Sequence, residues 1–219
     1  MLVKKGYLGK INLILDGGCA IVYAQKGILN LKVSITGKSA HGSTPWEGEN
    51  ANEKLMTAFA KIKKLFPAPS RHNRWVETVN LGIMQGGDTI NKVPDRAWMG
   101  LNIRLTEKGD PQKIIKRIKK IKEVAKVEKL GYHRYYYCSP QDKIIQTYKK
   151  IMEKELKTKL PLEKMHGATD AHNFAGIKYP LIISGAGGGE GAHGAKERVK
   201  VKELLKFEQA LINYIKTVV

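Results

Sequence analysis

The sequence has no apolar run that approaches the ~20 residues needed for a membrane-spanning helix. It has only two cysteines, Cys19 and Cys138, which lie far apart and match no zinc-knuckle or redox spacing. We therefore expect two inert thiols in a reducing cytoplasm rather than a disulfide framework. No stretch is of low complexity, and residues 1–15 lack the small-residue cleavage site of a signal peptide.

Acidic residues are scarce: 20 Asp and Glu stand against 39 Lys and Arg, which gives a formal net charge of +19. Such an excess can indicate binding to nucleic acid or to an acidic membrane surface. However, the lysines of residues 61–64 and 113–122 fall within amphipathic helical patterns, where they form solvated faces. The sequence also lacks an arginine-rich arm, an aromatic-plus-basic stacking motif and zinc-finger spacing. Nucleic-acid binding is therefore an alternative that the charge distribution disfavours.

The middle of the chain shows the alternating periods of an α+β domain. Apolar residues recur at every second position over 29–36, which predicts a half-buried strand. The following segments predict, in order, a helix over 50–66, strands over 75–85 and 97–105, a helix over 111–125 and a strand over 127–132. This β-α-β-β-α-β order is typical of a ferredoxin-like, four-stranded antiparallel sheet with two helices on one face.

The flanking segments have α/β character. They predict a buried strand over 11–15, a helix over 141–156, a strand over 179–184, a glycine-rich loop and a final helix over 202–216. The chain is therefore expected to be an α/β domain, formed by residues 1–27 and 135–219, that is interrupted by an inserted α+β domain, residues 28–134.

Three places concentrate residues that could carry chemistry. Asp16 ends an apolar strand, where a carboxylate can bind a divalent metal or simply form a turn. His41 lies in a loop of small residues and could donate a hydrogen bond to an oxyanion, or be a surface histidine. His193 ends the glycine-rich loop and could be an imidazole ligand to a metal, with Glu197 orienting its neighbours.

Two further polar residues stand out, Asn91 in the loop INKVPD and Arg104 among the apolar residues of LNIRL. The planar guanidinium of Arg104 suits a carboxylate anchor, although an arginine in a strand is often an edge residue. The glycine-rich loop matches neither a phosphate-binding loop nor a dinucleotide fingerprint, so phosphate binding is disfavoured.

Four segments together resemble one family, the dinuclear zinc metallopeptidases and deacylases that include aminoacylase, acetylornithine deacetylase, succinyl-diaminopimelate desuccinylase and the carnosine dipeptidases. The segment GKSAHGSTPWEGENA resembles the signature Gly-x-x-Ala-His-x-x-x-Pro-x-x-Gly-x-Asn-Ala at the entry to the family's lid. INKVPDRAWMGLNIRL resembles its Asn-x-x-Pro-Asp-x-Ala run, HGATDAHNFA its Gly-x-x-Asp-Ala stretch, and SGAGGGEGAHGAKERV its closing Gly-x-Gly…Ala-His-x-x-x-Glu.

The resemblance implies a partial three-layer α/β catalytic domain with an inserted lid through which the protein forms a homodimer. It implies hydrolysis of N-acyl amino acids or small peptides with two zinc ions, or with cobalt or manganese in their place. The implied roles by residue match are metal ligands at Asp16 and His193, and oxyanion stabilisation by His41. The implied substrate-binding residues are Asn91, Arg104, Gly185, Gly187 and Gly189, with His41 and Asn91 reaching into the partner subunit's site.

The resemblance also implies ligands that are not found here. Family members carry a His-x-Asp pair, a bridging Asp and adjacent glutamates upstream of the position of Asp16, whereas residues 1–15 contain no His, Asp or Glu. A catalytic zinc site normally needs three protein ligands plus water. We therefore expect the chain alone to be inactive and its missing part to lie on a separate N-terminal catalytic fragment. The alternative from another class is a non-catalytic dimerisation or binding module.

Overall fold

The computed structural model describes residues 9, 11–176, 181–187, 189–191 and 194–218. The strands are β1 (Asn12–Ile14), β2 (Ile21–Gln25), β3 (Gly27–Thr36), β4 (Ala40–His41), β5 (Thr78–Gly86), β6 (Lys92–Val93), β7 (Arg96–Leu105), β8 (Lys126–His133), β9 (Tyr136–Tyr137), β10 (Leu162–Met165), β11 (Leu181–Ile183), β12 (Gly189–Glu190) and β13 (Arg198–Val199). The α-helices are α1 (Ala51–Lys63), α2 (Pro111–Lys119), α3 (Lys143–Leu156) and α4 (Val201–Val218). Within these ranges, no helix combines the length and apolarity that crossing a membrane requires.

The chain divides into two compact units. Lys26–Arg134 form one, here called the lid unit, and Met1–Gln25 together with Tyr135–Val219 form the other, here called the base unit. The α/β fold with an inserted α+β domain that the sequence predicts is confirmed.

The lid unit contains a four-stranded sheet in the order β5-β7-β3-β8, with every neighbouring pair antiparallel. Odd-numbered residues of β3 and β7 are buried on the face that packs against α1 and α2. Even-numbered residues lie on the opposite, open face, where all are half-buried except Thr36 and Arg96, which are exposed. Asn50 caps α1 by accepting hydrogen bonds from the backbone N–H groups of Asn52 and Glu53. The predicted β-α-β-β-α-β order is thus observed.

The predicted boundaries of the second lid helix need correction. We expected a helix to residue 125, but α2 ends at Lys119. The chain continues instead in single turns, in which the Ile121 N–H donates to the Ile118 carbonyl oxygen and the Val124 N–H donates to the Ile121 carbonyl oxygen. Both side chains still pack against the lid core. The chain then joins the sheet, because the Ala125 N–H donates to the Ser34 carbonyl oxygen.

The base unit is built around a sheet in the order β1-β11-β2-β10, with β9 paired to β2. β1 and β11 are parallel, and β2 runs antiparallel to β11. Ile182 faces a cluster formed with α3 and α4, whereas Leu181 and Ile183 face a second cluster with Tyr136 and Ala171. The sequence did not predict β9 and β10, which are only two and four residues long. Of the strand expected over 179–184, residues 179 and 180 lie outside the described residues.

Candidate functional site

In the base unit, the structure brings the Asp16 turn and the start of the glycine-rich loop together. Because β1 and β11 are parallel, their C-terminal ends lie at the same end of the sheet, and the segments that follow them begin there. The Gly185 N–H donates to the Gly18 carbonyl oxygen at 3.1 Å. A Cβ atom at Gly185 would lie 2.3 Å from the Gly17 oxygen, so only glycine fits this approach. The turn that contains Asp16 and the segment that begins at Gly185 therefore lie at the same end of the sheet.

The rest of the loop divides into two parts. Gly187 packs on the Cys19 side chain, since a Cβ atom at Gly187 would lie 3.2 Å from that of Cys19. Gly189 belongs instead to the hairpin of β12 and β13, where Glu190 accepts two hydrogen bonds from Arg198 at 3.1 and 2.5 Å. His193, the predicted second metal ligand, lies outside the described residues.

The described residues do not by themselves form the metal centre that the resemblance implies. A catalytic zinc site uses three protein ligands and a water. The ranges given above contain no group of three or more His, Cys, Asp or Glu side chains that could hold a metal ion. Asp16 is exposed in its turn. We therefore assign no reaction step to a metal.

The two cysteines are free thiols and are half-buried. Burial raises the pKa of Cys19, and the nearby Glu203 carboxylate raises it further. Burial likewise raises the pKa of Cys138. A raised pKa keeps a thiol protonated and weakly nucleophilic at neutral pH. This agrees with the expectation of unreactive thiols, while the cytoplasmic location stays a prediction.

In the lid unit, His41 and Asn91 lie side by side. β4 and β6 pair so that His41 is opposite Lys92, and the Gly42 N–H donates to the Asn91 carbonyl oxygen at 2.8 Å. The side chains of His41 and Asn91 are both exposed. The structure thus joins two segments about 50 residues apart in the chain, while the roles that the resemblance implies for His41 and Asn91 stay predictions.

The hydrogen bonds of His41 fix its tautomer when the ring is neutral. Its Nδ1 accepts from the Ser43 backbone N–H at 3.2 Å and lies 2.7 Å from the Ser43 hydroxyl oxygen. Because a backbone N–H can only donate, Nδ1 is the acceptor and the proton is on Nε2. The exposed Nε2–H can then donate to an oxygen that gains negative charge.

Arg104 lies on the open face of the lid sheet, near the end of β7. Its Nε donates to the Asn102 Oδ1 at 3.0 Å, and the Asn102 Nδ2 donates to the Asn30 Oδ1 at 2.7 Å. No ion pair of Arg104 is found within the described part of the chain. The guanidinium therefore keeps its two terminal nitrogens for a ligand.

Arg104 is far from His41 within one chain. Thr36 pairs with Arg96 at the beginning of β7, and the Gly37 N–H donates to the Asp95 carbonyl oxygen beside it. The segment that carries His41 therefore leaves the sheet at that end. Arg104 is eight residues further along the strand, a separation of ~26 Å at about 3.3 Å per residue. The structure therefore places the predicted lid residues in two groups at opposite ends of one sheet.

A buried lysine beside Arg104 was not predicted. Lys26 is only 2% exposed, and its Nζ donates to the carbonyl oxygens of Val76 at 2.6 Å and Arg74 at 3.3 Å. Burial lowers its pKa, the Glu77 carboxylate opposes this, and the Arg104 charge lowers it further. In the sequence, Lys26 precedes Gly27 and resembles a surface lysine in a turn. Its burial depends on contacts with the segment 74–76, which is distant in the sequence, so local sequence does not reveal it.

The segment HGATDAHNFA has a structural role in the base unit. The Thr169 N–H and hydroxyl donate to the Gln25 Oε1 at 2.9 and 2.8 Å, and the Gln25 Nε2 donates back to the Thr169 carbonyl oxygen at 3.2 Å. Thr169 also caps the short 3₁₀ helix Asp170–Phe174. These buried contacts hold the segment against the end of β2.

The lid unit, with its four-stranded sheet, is inserted in an α/β unit, and comparisons with known proteins find the same arrangement of the chain. Residues 23–129 match the family model described as the peptidase dimerisation domain. The resemblance that four sequence motifs predicted is thereby confirmed.

Similarity to curated relatives covers nearly the whole chain. A probable succinyl-diaminopimelate desuccinylase of Staphylococcus aureus (strain N315) is 27% identical over 258 residues, covering 99% of this chain and 63% of the relative. A probable carboxypeptidase of Aspergillus fumigatus is 36% identical over 95 residues, which are 39% of this chain and 21% of the relative. The chain thus spans less than two thirds of the curated relatives it matches, and it corresponds to their C-terminal part.

Solved structures show the same fold. The aminopeptidase PepT of Bacillus cereus superposes with a TM-score of 0.80 at 22% identity, covering 98% of this chain and 60% of that one. An M20 family metallo-carboxypeptidase of Sulfolobus solfataricus gives a TM-score of 0.77 at 15% identity, covering 97% of this chain and 64% of that one. At these identities, the likeness shows the fold.

Proposed function

We propose that this chain is the lid and C-terminal part of an M20-type hydrolase that cleaves amide bonds in N-acyl amino acids or small peptides. Arg104 binds the substrate carboxylate through its terminal nitrogens, and the His41 Nε2–H donates to the oxyanion formed at the scissile carbonyl. Asn91 lies beside His41 and contacts the same end of the substrate. Zinc is the expected metal, with Asp16 and His193 as two of its ligands.

Arg104 lies ~26 Å along β7 from the end of the sheet at which the His41 segment leaves, and this separation has a consequence for the active site. An N-acyl amino acid is much shorter than that distance, so one chain cannot apply both His41 and Arg104 to one substrate molecule. A symmetric homodimer resolves this, because a two-fold axis can bring the His41 of one protomer to the substrate that the other protomer holds. Each active site would then be shared between protomers.

The edge strand β5 is the surface on which we expect the lid units to pair. Among the strands that the structure describes, it pairs with β7 alone, and it contains no charged residue over Thr78–Gly86, in a protein of net charge +19. Ile83 and Met84 are 51% and 55% exposed on it. Natural proteins usually protect a free edge with lysine, as the opposite edge strand β8 does with Lys126 and Lys129.

A second surface suits the catalytic fragment that would complete the metal centre. α4 packs on α3 through Phe207, Ala210 and Tyr214, yet it also exposes an apolar stripe on another side. The stripe consists of Val201, Leu204, Leu205, Ile212 and Ile215. An exposed apolar surface of this kind indicates an interaction site. We propose that the stripe packs against the catalytic fragment.

Reconstitution tests the proposed activity. The 219-residue chain would be assayed with zinc, alone and mixed with a polypeptide that corresponds to the part of the staphylococcal desuccinylase preceding the matched region. We expect hydrolysis of N-acyl amino acids or peptides only in the mixture. Turnover by the chain alone, or the absence of turnover in a mixture that demonstrably associates, would contradict the proposal.

A matched pair of variants tests the role of the α4 stripe. Leu205→Glu should weaken association with the fragment, since it places a charge in the apolar stripe. Gln209→Glu adds the same charge at an exposed position of the same helix outside the stripe, and association should be unchanged. Equal affinities of the two variants in a sedimentation or calorimetric measurement would exclude this surface.

Subunit mixing tests the shared site in the reconstituted enzyme. His41→Ala and Arg104→Ala homodimers should each be nearly inactive. Random exchange makes half of the dimers mixed, and each mixed dimer has one site with both residues intact, so mixing should restore about a quarter of the wild-type activity. If mixing restores nothing although exchange is shown to occur, His41 and Arg104 act within one protomer.

A further inference from the structure

Three polar side chains on the open face of the lid sheet form a continuous hydrogen-bonded chain. Asn30 and Asn102 are direct cross-strand partners in β3 and β7, the two central strands of the sheet. Arg104 follows two residues after Asn102 and therefore lies on the same face. Asparagine is depleted in strands, so two of them facing each other at the centre of a sheet are unexpected for stability alone.

The hydrogen bonds define the orientation of each group. Asn102 donates through Nδ2 to the Asn30 Oδ1 at 2.7 Å, so its own Oδ1 is turned toward Arg104 and accepts from Nε at 3.0 Å. If the Asn102 amide rotated by half a turn, its N–H group would face the N–H of Arg104, and both bonds would be lost. Asn30 thus sets the orientation of Asn102, and Asn102 sets that of Arg104.

Use of Nε by Asn102 also determines which side of the guanidinium is available. A carboxylate can pair with a guanidinium either through Nε and one terminal nitrogen or through both terminal nitrogens. Here the first mode is blocked by the Asn102 oxygen. The remaining mode is end-on and bidentate, and all three side chains are half-buried, which limits competition from water.

We propose that Asn102, held by Asn30, is a positioning residue that presents Arg104 end-on to a substrate carboxylate. The inference rests on the proposed function, because it deepens the role assigned to Arg104. Neither asparagine touches the substrate. Their contribution is to restrict the long arginine side chain to one rotamer before binding, which lowers the entropy lost when the carboxylate binds.

The test uses the 219-residue chain and two probes, N-acetylglycine and its uncharged amide, N-acetylglycinamide. Binding would be followed by NMR through the Nε–Hε resonance of Arg104, assigned by its loss in Arg104→Lys. The wild-type chain should bind N-acetylglycine in preference to the amide. Asn102→Ala should weaken N-acetylglycine binding roughly tenfold, the usual effect of losing a hydrogen bond to a charged group, without changing binding of the amide.

The Asn30 position supplies the control for a merely structural role. Asn30→Leu removes the acceptor for the Asn102 amide and should weaken binding several-fold, whereas Asn30→Asp retains an acceptor and should restore it. Thermal unfolding confirms that each variant is folded. Unchanged carboxylate preference in folded Asn102→Ala would overturn this inference alone. A wild-type chain that does not distinguish the acid from the amide would overturn the role of Arg104, and the inference with it.

Discussion

Dimerisation through β5 gives the most direct test of how the lid works. The perturbation is the double substitution Ile83→Lys and Met84→Lys, which puts two charges on an edge strand that has none. Lysine on a free edge opposes strand pairing because its charge would have to be buried. Neither side chain is part of the buried lid core, so the protomer should remain folded.

The expected size of the effect follows from exposure. Ile83 and Met84 are 51% and 55% exposed, so about half of each side chain is available for burial in a dimer. Complete burial of such a side chain is worth about 1.5–3 kcal/mol, which gives ~1 kcal/mol for each half. A two-fold interface uses each residue twice, so the double variant loses ~4 kcal/mol. That loss corresponds to a dimer dissociation constant about a thousandfold higher.

Sedimentation equilibrium over a concentration series measures this constant directly. Leu130→Lys on the opposite edge strand β8 is the matched control, since Leu130 is 64% exposed and its strand already carries lysines. The control should leave the dimer intact. If the β5 variant stays dimeric while the β8 variant dissociates, the interface lies on the other edge. A wild-type chain that is monomeric at micromolar concentration would refute dimerisation altogether.

Three further predictions concern the base unit. The Tyr214 hydroxyl is buried with no hydrogen-bond partner among the described residues, whereas the Tyr136 hydroxyl donates to the Leu181 carbonyl oxygen. Tyr214→Phe should therefore raise the unfolding free energy by ~1 kcal/mol, and Tyr136→Phe should lower it by about as much. A lower stability of Tyr214→Phe would show that a partner such as an internal water had been lost. Burial raises the pKa of Tyr148 from 10.0 to about 12, so its stabilisation is complete below pH 10 and is lost as the pH rises toward 12. Chemical denaturation of Tyr148→Phe should show a weaker decline of stability across this range, and an identical decline would exclude Tyr148 as its source. Gly185→Ala should lower the melting temperature because of its backbone clash, while Gly18→Ala, with nothing within 4 Å, should not.

The lid fold could be predicted because its signals are local. β3 and β7 are ten residues long and alternate strictly, and both helices carry an asparagine or aspartate cap. The short strands β9 and β10 lack such signals. They are strands only because they pair with β2, and pairing between distant segments is not encoded in local periodicity.

The candidate site shows the same division. Motifs alone marked Arg104 and His41, yet they could not show which groups orient them. The link from Asn30 to Asn102 depends on the register of β3 against β7, and the burial of Lys26 depends on a loop about 50 residues away. A shift of one residue in that register would move Asn30 to the core face, so the positioning chain is a property of the fold rather than of either segment.

Because Arg104 and His41 are far apart within one chain, the proposed activity depends on dimer formation, whereas binding of the substrate carboxylate does not. If each site needs the Arg104 of one protomer and the His41 of the other, then a folded but monomeric chain keeps the carboxylate anchor and loses the oxyanion donor. The β5 double variant should therefore bind N-acetylglycine as the wild type does, since Arg104 lies near the C-terminal end of β7, paired with Thr78 at the far end of β5. Its turnover in the reconstituted enzyme should be low and should rise with protein concentration as dimers form. Normal turnover in a variant shown to be monomeric would mean that one protomer holds a complete site, and the separation along the lid sheet would then have to be closed by a movement within the chain.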